Sequence, residues 1–353
     1  MPPPPGLADA PFLRACRGLP AERVPVWFMR QAGRSLPEYR ALRGTGSILE
    51  AIKDPALATE ITLQPVRRYG VDAAILYSDI VVPAEAIGFG VEVEPGLGPV
   101  VEKPFESWAD LDRLRPYEPE QDAPYVGQTV RGVVSELGAT PLIGFAGAPF
   151  TVASYLIEGR PSRTYGRTKA MLHGEPELFA ALLDRLADMA VASLLAQVDA
   201  GASAIQLFDS WAGALAPDVY RAHVLPASAK VFSALEGTGV PRIHFGVGTG
   251  ELLGLMAQAG PDVVGVDWRV PLDVARQRVG GKAVQGNLDP AACLAPWEAV
   301  AERTRDVLRR NGGRPGHVFN LGHGVLPELD PDVLRRVVDL VHEEGRTDGP
   351  VEG

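Results

Sequence analysis

Pro25-Val26-Trp27-Phe28-Met29-Arg30-Gln31-Ala32-Gly33-Arg34 says more about the architecture than any other stretch of this 353-residue chain. Val26 to Met29 is a short apolar run containing β-branched and aromatic residues, the pattern of a strand buried on both faces. Two arginines four apart follow directly. Ser35-Leu36-Pro37-Glu38 then offers a capping box, with Glu three residues after a Ser that can cap a helix. Arg30 to Arg34 are therefore predicted to lie in a strand-to-helix loop beyond the carboxyl end of a strand, where α/β proteins carry their sites. Two guanidinium forks in such a loop suit a ligand with several carboxylates or phosphates. The plainer alternative pairs Arg34 with Glu38 and leaves Arg30 in solvent.

Seven more apolar runs repeat the pattern: Val71–Tyr77, Pro141–Phe145, Ser203–Phe208, Arg242–Phe245, Asp262–Val266, Lys282–Gln285 and His317–Leu321. With Val24–Met29 they make eight strands alternating with helices. The expectation is one α/β domain over residues 1–353, a single (β/α)8 TIM-type barrel with long loops at the carboxyl ends of its strands. A doubly wound open sheet is the competing architecture, and no GxGxxG follows the first strand to support its dinucleotide-binding form. Asp54-Pro55 and Asp330-Pro331 read as helix starts, and Pro65 is expected to kink or end the first of these helices. Residues 175 to 199 form the longest helical pattern. Val91 to Glu102 alternates around a Pro-Gly turn and reads as a hairpin excursion. Residues 1–6 and 345–353 read as frayed ends.

Net charge is −10, which disfavours general nucleic-acid or anionic-membrane binding. Residues 1 to 50 run against that balance, with seven arginines and four acids. An anionic ligand would be drawn there. Cys16 and Cys293 form neither a disulfide framework nor a CxxC pair, so a reducing, cytoplasmic setting is expected. The start lacks a signal-peptide pattern, and no apolar run approaches the ~20 residues of a membrane span.

The residues after the runs are unusual and fall at one end of the expected barrel: Arg30 to Arg34, Ser78-Asp79, Gly147-Ala148-Pro149 leading to Tyr155, Asp209-Ser210-Trp211, Gly246 to Gly250, Asp267-Trp268, Gly286-Asn287-Leu288-Asp289-Pro290 and Gly322-His323-Gly324. Each has a plainer reading. Asp79 and Asp289 can cap helices, Ser210 can cap a turn, and Tyr155 can be a half-buried core tyrosine. Glycine loops such as Gly246–Gly250 are weak signals alone. His323 between two glycines is hardest to dismiss, since glycines let backbone approach a ligand closely.

Six motifs taken in order resemble the uroporphyrinogen decarboxylase family along nearly the whole chain: PVWFMRQAGR at 25–34, ILYSDIVVP at 75–83, GFAGAPFTVASYLIEG at 144–159, FDSWAG at 208–213, QGNLDP at 285–290 and FNLGHG at 319–324. Ser35 departs from the Tyr usual in the family. The resemblance implies a cofactor-free and metal-free homodimeric carboxy-lyase of heme biosynthesis, acting on an octacarboxylate tetrapyrrole, uroporphyrinogen. It implies that Asp79 accepts hydrogen bonds from the pyrrole N–H groups and stabilises a cationic intermediate. It further implies that Arg30 and Arg34 bind substrate carboxylates, one of them also steering a proton. Gln31, Ala32 and Gly33 complete that loop, and Tyr155, Ser210 and His323 supply polar contacts. A related branch transfers methyl groups using zinc held by His and Cys, but neither cysteine here stands in a His-x-Cys arrangement. A non-catalytic tetrapyrrole carrier is the other alternative.

Overall fold

A computed structural model describes residues 4–33, 35–44, 46–94 and 97–346. Among them, seven parallel strands form one curled sheet: β1 (Ala74–Ile75), β4 (Leu142–Gly147), β5 (Ala204–Asp209), β6 (Arg242–Gly246), β7 (Val263–Gly265), β8 (Ala283–Gln285) and β9 (His317–Val318), hydrogen-bonded in that order. The antiparallel hairpin expected at 91–102 is present as β2 (Val91–Glu94) and β3 (Gly98–Val101). Its Pro95-Gly96 turn lies outside the described residues.

Val24–Met29 does not form the regular strand that its apolar pattern predicts. It makes one parallel bridge, Val26 to Phe319, with Trp27 N–H donating to Phe319 O at 3.3 Å and Phe319 N–H to Pro25 O at 2.8 Å. On its other side, Asp72 N–H donates to Val26 O at 2.7 Å. The reason is a diversion of donors. Val26 N–H goes to Asp72 Oδ2 at 2.7 Å, Phe28 N–H to Gln31 Oε1 at 3.0 Å and Met29 N–H to Asn320 Oδ1 at 3.1 Å, while Pro25 has no N–H to give. Side chains thus satisfy the backbone groups that a ladder would otherwise use.

Long helices cover the sheet where the periodicity places them. Pro176–Ala200 buries Leu178, Leu182, Leu186, Met189 and Leu194, and the three Asp-Pro starts all cap through their carboxylates at Asp54, Asp289 and Asp330. Pro65 does not end its helix, which continues from Pro55 to Tyr69. The missing N–H is offset by packing, because neighbouring Leu63 joins a buried cluster with Ala74, Leu76, Val130, Val133 and Leu137. The capping box at Ser35 does not form. The helix Pro37–Arg43 starts from Leu36 with no side-chain cap; Ser35 is buried beside the Tyr69 hydroxyl, and Glu38 pairs with Arg68 at 3.3 Å. Nor are the described terminal residues loose. Val24 N–H donates to Gly345 O at 2.8 Å, Arg23 bridges Arg346, and Leu7 N–H closes a turn onto Pro4 O.

Inside the sheet's curve, polar side chains are joined to one another. Trp27 Nε1 donates to Gln285 Oε1 at 3.0 Å, and Gln285 Nε2 to Gln206 Oε1 at 2.9 Å. His317, on β9, is buried with its Nε2 at 2.7 Å from Gly286 O. Burial holds its imidazole down to about 4, against an ordinary 6.5. The unfolded chain therefore takes up a proton near pH 6.5 that the folded chain refuses until about pH 4, so this group removes stability as pH falls through that window. Replacing His317 with Gln should shrink the drop in urea midpoint between pH 6.5 and 4.5 relative to the parent. An unchanged drop would mean that His317 carries none of the acid sensitivity.

Candidate functional site

The carboxyl ends of the parallel strands gather most of the residues singled out in the sequence. Arg30 follows Met29 in the left-handed region, φ 57°, a conformation that a non-glycine residue adopts only when its surroundings impose it. Its side chain is exposed and makes no hydrogen bond or ion pair with another described residue. The stem lies over Gly324. A Cβ built on that glycine would stand 2.6 Å from Arg30 Cδ and 2.9 Å from Cγ, so the His323-Gly324 backbone and the Arg30 stem are in direct contact. Gln31 turns inward instead. It is 1 % exposed, with its amide committed to Phe28 N–H and to Ala73 O at 3.1 Å; it braces the loop from within. Ala32 is half-buried, and Gly33 sits over the Tyr39 ring. Arg34 lies outside the described residues.

Asp79 follows β1 and is half-buried. Its Oδ1 accepts from Val81 N–H at 3.1 Å, but the helix-capping reading is not met, because the helix Val82–Ala86 takes Val81 as its N-cap with no side-chain bond. A hydroxyl pair links the Asp79 loop to the arginine loop: Tyr39 Oη and Tyr77 Oη are 3.0 Å apart, with rings edge to face. Tyr155, on the helix Pro149–Glu158, has its phenol pushed above the ordinary range by burial, then by the Asp79 carboxylate, with Arg30 acting the other way. That opposing pull places the phenol within the fields of both groups. It stays a neutral hydrogen-bonding hydroxyl across ordinary pH.

Ser210 is half-buried after β5. Its neighbour Trp211 stacks on Tyr155 with ring centroids 3.8 Å apart, and Tyr165 closes on Trp211 at 5.1 Å. Asp209 anchors this corner from behind: fully buried, it accepts from Thr151 Oγ1 at 2.9 Å, and Thr151 Oγ1 accepts from Trp211 N–H at 3.2 Å. The β5 and β6 loops touch through Gly213, where a Cβ would fall 2.2 Å from Val247 O.

An aromatic floor runs across the neighbouring strands β4, β5 and β6 to His323. Phe145 and Phe208 pair edge to face at 5.3 Å, Phe208 and Phe245 at 6.0 Å, and Phe245 lies 6.5 Å from the His323 ring, itself parallel to Trp268 at 6.5 Å. Phe145 and Phe208 are only half-buried although they sit within strands, so they offer apolar surface at the strand ends. Sequence reasoning placed Trp211 at this end with Asp209 and Ser210 but missed Phe145, Phe208, Tyr165 and the Tyr39–Tyr77 pair. Phenylalanines inside apolar runs gave no signal.

The arrangement is an apolar aromatic floor with an exposed cation at Arg30, a half-buried anion at Asp79 and neutral donors around them. It suits a large anionic ligand with apolar faces. At the opposite end, a cavity of about 790 Å³ is lined by Arg14, Arg23 and Asp72. Its arginines are occupied by Pro20 O, Asp9, Glu22 and Asp72, so it lacks open chemistry. Among the described residues, no group of three or more His, Cys, Asp or Glu could hold a metal. Cys16 and Cys293 are buried; burial pushes the Cys293 thiol up to about 12 and the Cys16 thiol higher.

Comparison with known proteins bears on the same question. The family model described as Uroporphyrinogen decarboxylase (URO-D) matches residues 7–344. A uroporphyrinogen decarboxylase from Salinispora tropica is 62 % identical over 337 residues, covering 95 % of this chain and 91 % of that protein. One from Streptomyces coelicolor is 62 % identical over 343 residues, covering 97 % and 96 %. Among solved structures, a methyltransferase from Methanosarcina mazei superposes with a TM-score of 0.78 at 20 % identity, covering 95 % of this chain and 98 % of that one. A B12-independent methionine synthase from Shewanella does so at 0.58 and 13 %, covering 84 % and 90 %. At such identities these two share the fold alone. The match to the family along almost the whole length, with six ordered motifs and a cation, an anion and an aromatic floor at the strand ends, places this chain in the uroporphyrinogen decarboxylase family.

Proposed function

We propose that this chain decarboxylates the four acetate arms of uroporphyrinogen III to give coproporphyrinogen III. The observation that carries the reading is the family match over residues 7–344, with Arg30, Asp79 and Tyr155 brought to the same end of the parallel strands. Loss of carbon dioxide from an acetate leaves an electron pair on the arm's carbon. Protonating the adjacent pyrrole carbon makes the ring cationic and gives that pair somewhere to go. Once the carboxylate leaves as carbon dioxide, a proton on the arm completes the methyl group and the ring proton departs. Asp79, accepting from pyrrole N–H groups, stabilises the cationic ring more than the neutral substrate, and that difference is what lowers a barrier. Arg30 and Arg34 bind carboxylates, one of them steering the proton. Gln31, Ala32 and Gly33 shape their loop, while Tyr155, Ser210 and His323 complete the polar contacts. Incubation with reduced uroporphyrinogen, oxidation and chromatography should show the seven-, six-, five- and four-carboxylate porphyrins. Recovery of the eight-carboxylate porphyrin alone would leave a carrier.

Three finer readings go with this one. The first is a closed eight-stave barrel in a single domain, with Val24–Met29 as the first stave; its bonds to Asp72 and Phe319 on either side support it. The second is a cytoplasmic setting; no helix among the described residues is long and apolar enough to cross a membrane. The third is a homodimer, which rests on the family resemblance. Sedimentation equilibrium at micromolar protein should give twice the 37.6 kDa of one chain. A species of one chain mass would refute it.

A further inference from the structure

The segment Glu158–Lys169 carries four cations (Arg160, Arg163, Arg167 and Lys169) and one acid in a chain of net charge −10. Arg167 pairs with Glu106, and Glu158 is spent on Thr168, accepting from its N–H at 2.8 Å and its hydroxyl at 2.9 Å. Arg160 and Arg163 remain exposed, and neither makes a hydrogen bond, ion pair or ring contact with another described residue. Elsewhere the arginines are largely matched: Arg67, Arg113, Arg115, Arg242, Arg305 and Arg310 all meet carboxylates.

The loop that carries them is braced against the site. On one side Gly159 O accepts from Val101 N–H at 2.8 Å, and Pro161 packs under Gly98, 3.7 Å from where its Cβ would stand. On the other, Tyr165 takes a left-handed φ of 53°, held by Ser162 Oγ accepting from its N–H at 2.9 Å, and lays its ring on Trp211. Trp211 covers Tyr155 in turn. The loop is therefore continuous with the wall of the site through Tyr165 and Trp211, and it carries the exposed Arg160 and Arg163.

We propose that Arg160 and Arg163 form a second carboxylate subsite, which holds arms of the macrocycle not undergoing reaction. This rests on the decarboxylase reading for the identity of the ligand. A ligand with eight carboxylates cannot place them all on the Arg30 loop, and those left over need cations or water. Charges in solvent contribute through long-range attraction and weak pairs. Their effect therefore falls on substrate capture, fades with salt and shrinks as carboxylates are lost.

The test uses the full chain with both arginines changed, Arg160→Gln with Arg163→Gln, and with Arg131→Gln as a control on the outer helix Pro124–Leu137. KM and kcat are measured for the eight- and five-carboxylate porphyrinogens from low to high salt. Binding of fluorescent uroporphyrin is titrated in parallel as a readout that needs no turnover. With two exposed pairs removed, KM and the uroporphyrin Kd should rise roughly three- to tenfold at low salt. The expected pattern also has kcat within about twofold, a shallower salt dependence, a smaller effect on the five-carboxylate substrate and no change in Arg131→Gln. Unchanged KM, Kd and salt slope would overturn the subsite, as would a fall in kcat with KM untouched. A parent protein that releases no carbon dioxide, yet loses uroporphyrin affinity when the two arginines are removed, would retire the decarboxylase reading and keep the subsite.

Discussion

Asp79→Asn should fold like the parent and lose activity by about a hundred- to a thousandfold, the scale set by removing one preorganised electrostatic group from a site. The fold should survive because the hydrogen bond that Asp79 accepts from its own turn can be kept. Its Oδ1 accepts from Val81 N–H at 3.1 Å, and the amide oxygen of Asn can accept the same bond. What Asn lacks is charge. A cationic pyrrole ring facing a neutral amide loses stabilisation that the neutral substrate hardly felt, so kcat should carry the loss and KM should move little. Far-UV circular dichroism and thermal midpoint check the fold, and steady-state rates check the role. Turnover within a fewfold of the parent would remove Asp79 from the mechanism.

Gly324→Ala should lower kcat/KM by roughly tenfold or more, although residue 324 carries no functional group. Its φ lies outside the left-handed range, so an alanine there meets no backbone strain. The added methyl meets Arg30 instead, at 2.6 Å from Cδ, 2.9 Å from Cγ and 3.3 Å from Cβ. These are atoms of the stem, which cannot swing away without moving the guanidinium. Displacing a charged positioning group by about 1 Å can cost up to a hundredfold. The double variant separates this from a general disturbance. In an Arg30→Ala background only the Cβ contact at 3.3 Å remains and no guanidinium is displaced, so adding Gly324→Ala should change rates little. Additive losses would show that Gly324 acts by another route.

The parts of the fold that follow from local rules were legible. Apolar runs, Asp-Pro caps and the helical stripe of residues 175–199 depend on neighbours in sequence, and each appears where expected. Val24–Met29 was misjudged as a regular strand because its donors go to Asp72, Gln31 and Asn320, and two of these partners are far away in sequence. Pro65 was misjudged because a buried face outweighed a missing hydrogen bond. In the site, charged and polar residues announced themselves by being out of place in apolar surroundings. Gln31 shared that signal but spends its amide on the backbone of Phe28 and of Ala73. The aromatic floor stayed invisible, since Phe145 and Phe208 look like core residues until the curve of the sheet leaves them half-open.

The bridge between Val26 and Phe319 has a temporal consequence. The loop bearing Arg30 leaves the ribosome early, but one of its two flanking neighbours is made 293 positions later. At synthesis rates of about 5 to 20 residues per second that interval is roughly 15 to 60 s. During it, the apolar Val24–Met29 segment has no lasting partner on that side, and Val24 N–H still awaits Gly345 O. This edge of the sheet cannot close vectorially as the chain is synthesised, and a product cut short before Phe319 would leave Val26 without the neighbour that bridges it. The segment before Arg30 is seated late, by residues that reach back across most of the sequence.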